Sequence, residues 1–165
     1  MKSKVTTTAY IDGANLHQGI KSLGWKLDYA RFRKWLIDKY GVGRAYLFIG
    51  LIPKNKDLYT YLQESGFTLV FKEVIFDDAG KAKGNCDADL VTEAMRDSYE
   101  QATDKAVLVT SDGDYTPLVK FWLEKNQLKV ILSPAPSKKC SVLLKRTGAR
   151  IAYLEDQRSK LEVTN

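Results

Sequence analysis

An α/β class built on a mainly parallel sheet is what this 165-residue sequence predicts, and three observations predict it. Apolar runs of strand length alternate with longer stretches of helical period, in an order repeated about five times, which is the pattern of strands joined by crossover helices. Two of the apolar runs end directly in aspartate, at Asp12 and Asp112, which suits the carboxyl edge of an open parallel sheet. A chain of this length buries roughly 70 % of the surface exposed by its unfolded form, so one core without disulfide or metal staples is sufficient.

The elements follow in order. A first strand over 6–11 leads into a short helix over 14–21 and a second over 29–39, for which Asp28 is the N-cap and Phe32, Trp35, Leu36 and Tyr40 the apolar stripe. A strand over 44–50 precedes a helix over 54–64 that Gly66 closes, and a strand over 68–76 runs into the turn signal Asp77-Asp78-Ala79-Gly80. Residues 81–85 read as a polar loop, and 87–101 as a helix with Leu90, Val91, Ala94 and Met95 on one side. A buried strand over 106–110, a helix over 115–125, a buried strand over 128–132, a short helix over 141–146 and a last strand over 149–154 complete the pattern. No repeat, low-complexity segment or Pro/Gly/Ser linker divides it, so 1–165 is expected to be a single domain with a short polar tail from about residue 155.

Composition narrows the function. Lys plus Arg number 26 against 20 Asp plus Glu, a formal charge of +6. Cys86 and Cys140 form no Cys-x-x-Cys pair and there is a single histidine, which excludes a structural zinc of the usual ligand set. No apolar run approaches the roughly 20 residues that span a bilayer. Residues 1–8 carry no apolar signal core, so reduced thiols and a cytoplasmic location are expected.

Asp12 closes the first strand and Asp112 the buried strand at 106–110, with Asp114 two residues on. If those strands are parallel neighbours, three acids share one edge. Asp87 joins them by helix arithmetic, because Leu90, Val91 and Ala94 lie three, four and seven residues ahead, so Asp87 begins the stripe that faces the sheet. Asp89 lies about 200° around, on the face of Glu93 and Asp97, and is expected in solvent. Singly each acid has a plainer reading: Asp87 and Asp114 as helix caps, Asp12-Gly13 as an ordinary turn with Asn15 capping the following helix. Together, four gathered carboxylates would raise one another's pKa unless a divalent cation neutralised them, and hard oxygen ligands without His or Cys select Mg²⁺ or Mn²⁺. That combination points to phosphodiester chemistry.

An acidic pocket repels a polyanion, so cations must surround it. Lys81, Lys83, Lys138, Lys139, Lys145 and Arg146 lie in loops or helix starts able to rim the same edge, and Lys138-Lys139 follows a loop leaving the carboxyl end of a strand. His17 reads as a helix-face residue, and Trp25, Trp35 and Trp122 as packing.

Three segments carry a resemblance: Tyr10-Ile11-Asp12-Gly13-Ala14-Asn15-Leu16, Lys83-Gly84-Asn85-Cys86-Asp87-Ala88-Asp89-Leu90 and Thr110-Ser111-Asp112-Gly113-Asp114-Tyr115. In this order the chain resembles the NYN domain family, in its LabA-like branch among the PIN-like nucleases, over nearly its whole length. The resemblance implies a three-layer α/β/α sandwich of PIN-like, Rossmannoid type and Mg²⁺ or Mn²⁺-dependent ribonuclease activity. By motif, Asp12, Asp87, Asp112 and Asp114 would be the catalytic acids and metal ligands, with Asn15 orienting a water or a carboxylate. One departure is Glu93, where family members commonly have a further aspartate.

The resulting expectation is a metal-dependent endoribonuclease with Lys83, Lys138, Lys139, Lys145 and Arg146 on the nucleic acid. The alternative is a nucleic-acid-binding or regulatory module with an inactive nuclease-like site. RNA, single-stranded or structured, is the expected partner, a membrane is not, and a homodimer is left open. A phosphotransfer receiver would need paired acids after the first strand, an aspartyl phosphatase Asp-x-Asp there, and a dinucleotide fold Gly-x-Gly-x-x-Gly; Asp12-Gly13-Ala14 supplies none of them.

Overall fold

The structure, a computed structural model, describes residues 4–51, 53–83 and 87–164. Its centre is a six-stranded, wholly parallel sheet, ordered from edge to edge as the third, second, first, sixth, seventh and eighth strands of the chain. The strands are β1 (Thr7–Asp12), β2 (Val42–Leu51), β3 (Thr68–Glu73), β6 (Lys105–Val109), β7 (Leu128–Ser133) and β8 (Ile151–Tyr153). A separate two-stranded ribbon pairs β4 (Ile75–Phe76) with β5 (Ala82–Lys83). All six residues of β1 are buried, as expected of a central parallel strand covered on both faces.

Period-two alternation along β1 divides the core into two layers. Ala9 and Ile11 face Leu16 and Ile20 of α1 (Gly13–Ser22), Phe32 and Leu36 of α2 (Tyr29–Tyr40), Leu62 of α3 (Lys56–Glu64) and Leu161 of α7 (Arg158–Leu161). Tyr10 faces Leu90 and Ala94 of α4 (Asp87–Tyr99), Leu118 and Trp122 of α5 (Thr116–Glu124) and Leu144 of α6 (Val142–Arg146). The result is an α/β/α sandwich. The connections out of β1 and β2 use the first layer and those out of β3, β6 and β7 the second, so the winding reverses between β1 and β6. That is a topological switch point, where the carboxyl ends of adjacent strands open a crevice. Among the described residues no helix is long and apolar enough to cross a membrane.

The expected elements form with their expected punctuation. Asp28 caps α2 by accepting the Arg31 amide at 3.1 Å, and Gly66 stands at φ 105°, a left-handed position open to glycine, where α3 gives way to β3. Three stretches differ from the sequence reading. The strand expected over 68–76 stops at Glu73, and Ile75–Phe76 turns back to pair antiparallel with Ala82–Lys83, inside the stretch expected to be loop. Asp77 closes that ribbon by accepting the Ala79 and Lys81 amides at 3.0 and 2.8 Å. Pairing of two residues on each side leaves too short a pattern for period-two reading.

Asp97, expected on a solvated face, is only 7 % exposed and accepts the Tyr10 hydroxyl at 2.7 Å. It lies seven residues after Leu90 and three after Ala94, on their stripe, and a buried phenol requires such a partner. Residues after 154 are polar in sequence, yet Leu154 and Leu161, seven apart, are both fully buried. The backbone there ties to the α1–α2 turn through Asp28 N to Leu161 O and Val163 N to Lys26 O, and Trp25 Nε1 donates to Glu155.

Candidate active site

Asp12 ends β1 and caps α1: its backbone is extended and its Oδ1 accepts the Asn15 amide at 3.2 Å. Asn15 is therefore not the cap. Gly13 begins the helix, and the position admits no side chain, since a Cβ there would stand 2.6 Å from the Phe48 carbonyl oxygen and closer still to Ile49. Glycine lets α1 start directly against the end of β2.

Asp112 lies three residues beyond β6 and caps a single 3-10 turn, Gly113–Tyr115, accepting the Asp114 amide at 2.9 Å. Asp87 is the first residue of α4 and half-buried, with Asp89 exposed. One carboxylate oxygen from each of Asp12, Asp87 and Asp112 lies within 4.8 Å of the other two. Asp12 is 7 % exposed. Burial above all, then the charges of Asp87 and Asp112, push its carboxyl above the usual range, while hydrogen bonds from Asn15 and Tyr115 pull it back.

Two contacts hold this arrangement together. The Tyr115 hydroxyl sits 2.7 Å from Asp87 Oδ1 and 3.2 Å from Asp12 Oδ2, so one hydrogen serves two carboxylates that come from β1 and α4. Burial, reinforced by those charges, raises the phenol far above its ordinary value and keeps it protonated. Asn15 Oδ1 accepts both the backbone amide and the hydroxyl of Ser111, at 2.9 and 3.1 Å, and thereby fastens the start of α1 to the loop carrying Asp112. The sequence reading missed Tyr115. Its signal was an aromatic with a polar tip just inside a buried helix start, next to an aspartate pair.

The structure brings three of the four expected acids together. Asp114 is exposed and outside the group, because its amide, not its carboxylate, is turned towards Asp112. Lys138 and Lys139 are exposed in a 3-10 turn after β7, and Lys145 Nζ donates to the carbonyl of Ser137 in that same turn. Arg146 is exposed at the end of α6. Ser141 N donates to Ser111 O at 3.1 Å, so this basic segment adjoins the Asp112 loop. Lys83 ends β5; residues 84–86 of the second motif, including Cys86, lie outside the described residues, and so does the Lys83 side chain. Cys140 is a buried thiol, and His17 is exposed on α1. Trp25 and Trp122 are buried and Trp35 packs against the first layer.

A ligand set of three carboxylates, all hard oxygen donors, fits a divalent cation that retains part of its water shell, and charge neutralisation at the cluster gives such an ion a reason to bind. An α/β sandwich with acids at its switch point defines the class. The NYN domain profile matches residues 6–153, and the chain belongs to the NYN domain family. In fold it is similar to the crystal structure of a protein of unknown function from Vibrio parahaemolyticus, with 21 % identity and a TM-score of 0.77, over 99 % of this chain and 100 % of that one. No curated protein gives a significant match.

Proposed function

We propose that the protein is a Mg²⁺ or Mn²⁺-dependent ribonuclease of PIN-like type that hydrolyses RNA phosphodiester bonds at the switch-point crevice. The observation that carries this reading is the gathering of Asp12, Asp87 and Asp112 oxygens within 4.8 Å. Membership of the NYN family supports it.

In this mechanism Asp12, Asp87 and Asp112 hold the ion. When bound, the metal supplies an activated water and stabilises charge developing on the phosphate. Tyr115 keeps two of the ligands at fixed separation, and Asn15 holds the third through Ser111. Lys138, Lys139, Lys145 and Arg146, with Lys83 on the ribbon side, bind flanking phosphates and offset the repulsion between the acids and the polyanion.

The test is cleavage of labelled single-stranded RNA in Mn²⁺, in Mg²⁺ and in EDTA. Cleavage that needs either ion supports the proposal. RNA binding that survives EDTA, with no cleavage in either metal, contradicts it and assigns the domain a binding role.

A further inference from the structure

On the β2 side of the acid cluster, α1, the turn after it and α3 enclose a groove of about 1080 Å³. Leu62 is buried at its floor, while Tyr61 and Leu58 on the α3 wall are 41 % and 45 % exposed. The exposed side chains of His17, Lys21 and Lys26 also line it, and no carboxylate does among the described residues. Gly13 and Ala14, the two residues after Asp12, line the groove as well, so it reaches the start of α1 on the first-layer side of the sheet, while the acids meet Tyr115 on the second-layer side.

Three surfaces thus follow the strand order at the carboxyl edge: the groove, on the first-layer side of β2, the acids at β1 and β6, and the basic segment that follows β7. Neighbouring strands are about 4.8 Å apart, so the row from β2 to β7 spans about 14 Å, within reach of a few nucleotides of one strand laid across the sheet. A nucleotide joins a flat apolar base to an anionic phosphate. The groove joins an apolar floor and an aromatic wall to two lysines, and the carboxylate beside that wall, Asp28, is already engaged, accepting the Arg31 amide and the Tyr61 hydroxyl. An apolar peptide would satisfy the floor but not the lysines. A base stacked within a duplex has no free face to offer.

We infer that this groove is a base subsite, holding one unpaired nucleobase of an RNA strand that crosses the carboxyl edge to the acid cluster. The inference rests on the ribonuclease reading and adds to it a requirement for single-stranded substrate. Tyr61 is the stacking surface on α3, His17 lines the same groove from α1, and Lys21 and Lys26 meet the phosphates beside the base.

Equilibrium binding in EDTA tests this without cleavage, using a labelled single-stranded RNA and a series in which one abasic nucleotide is walked along it. Tyr61→Ala should weaken binding of the intact RNA by a factor of about 5 to 150, the range for loss of one base stack, while Tyr61→Phe keeps it. An abasic nucleotide at one position should cost the parent a similar factor and cost Tyr61→Ala nothing further. His17→Ala, at an exposed position, should leave the melting temperature unchanged and weaken binding in the same sense. The dye 1-anilinonaphthalene-8-sulfonate, bound in the groove, should be displaced by RNA. RNA that binds and is cleaved, with no response to Tyr61→Ala, to His17→Ala or to any abasic position, overturns the subsite and leaves the ribonuclease reading standing. Dye that stays in place while RNA binds assigns the groove to another apolar ligand and overturns it too. A parent protein that binds no RNA contradicts both.

Discussion

The two oxygens of Asp12 have separate tasks. Oδ1 caps α1 on the Asn15 amide, and Oδ2 faces the Tyr115 hydroxyl. A carboxylate so engaged is held in place while its charge remains available to the crevice. Removing the hydroxyl would leave Asp12 and Asp87 in mutual repulsion, and Tyr115→Phe should cost about 1–3 kcal/mol of stability in EDTA. Mn²⁺ should restore part of that loss, because the ion does for the carboxylates what the hydroxyl did. Thermal melts of parent and variant with and without metal measure both effects, and identical melts in EDTA would show that the hydroxyl bridge contributes nothing. In the parent, divalent ions should raise the melting temperature by native-state binding, and Asp12→Asn should abolish most of that rise. A full rise in the variant would remove Asp12 from the ligand set.

At the scale of elements, the site depends on how closely α1 and β2 meet. Gly13→Ala forces a methyl against the Ile49 side chain and against the Phe48 carbonyl, which cannot withdraw without moving β2. Overpacking of this kind costs about 1–3 kcal/mol, read by urea unfolding, and it should also displace Asp12 and lower any metal-induced stabilisation. The end of the chain is a second element-scale test. Leu161 is fully buried, so Leu161→Ala should cost about 2–5 kcal/mol, whereas a solvated tail would tolerate the change. The same scale explains what could be read in advance. Asp12, Asp112 and Asp87 were legible because strand ends and helix phase follow from apolar periodicity. The Tyr115 bridge was not, because it joins residues 103 and 28 positions apart whose approach exists only once three elements are packed. The outward turn of Asp114 was hidden for a related reason: a one-turn helix has no periodicity to orient its side chains. Asp97 was misread by following Asp89 and Glu93 around the helix and not Leu90 and Ala94 along it.

Across the whole molecule, a formal charge of +6 surrounds a cluster of acids, and the two should be separable by experiment. Lys138→Glu with Lys139→Glu should weaken RNA binding and flatten its salt dependence, by a slope of about 0.7 for each phosphate of a single strand that is no longer neutralised, while the acid cluster stays intact. Asp112→Asn should do the reverse. Loss of one negative charge weakens the hold on the ion and reduces repulsion of the phosphate backbone. The most direct measurement is therefore single-turnover cleavage of single-stranded RNA in Mn²⁺ by the parent and Asp112→Asn, paired with filter binding of the same RNA in EDTA. The account predicts a fall of orders of magnitude in cleavage with affinity unchanged or slightly tighter. Cleavage equal to the parent's, or an affinity that collapses together with the rate, would contradict it and make the three carboxylates a structural feature of the fold.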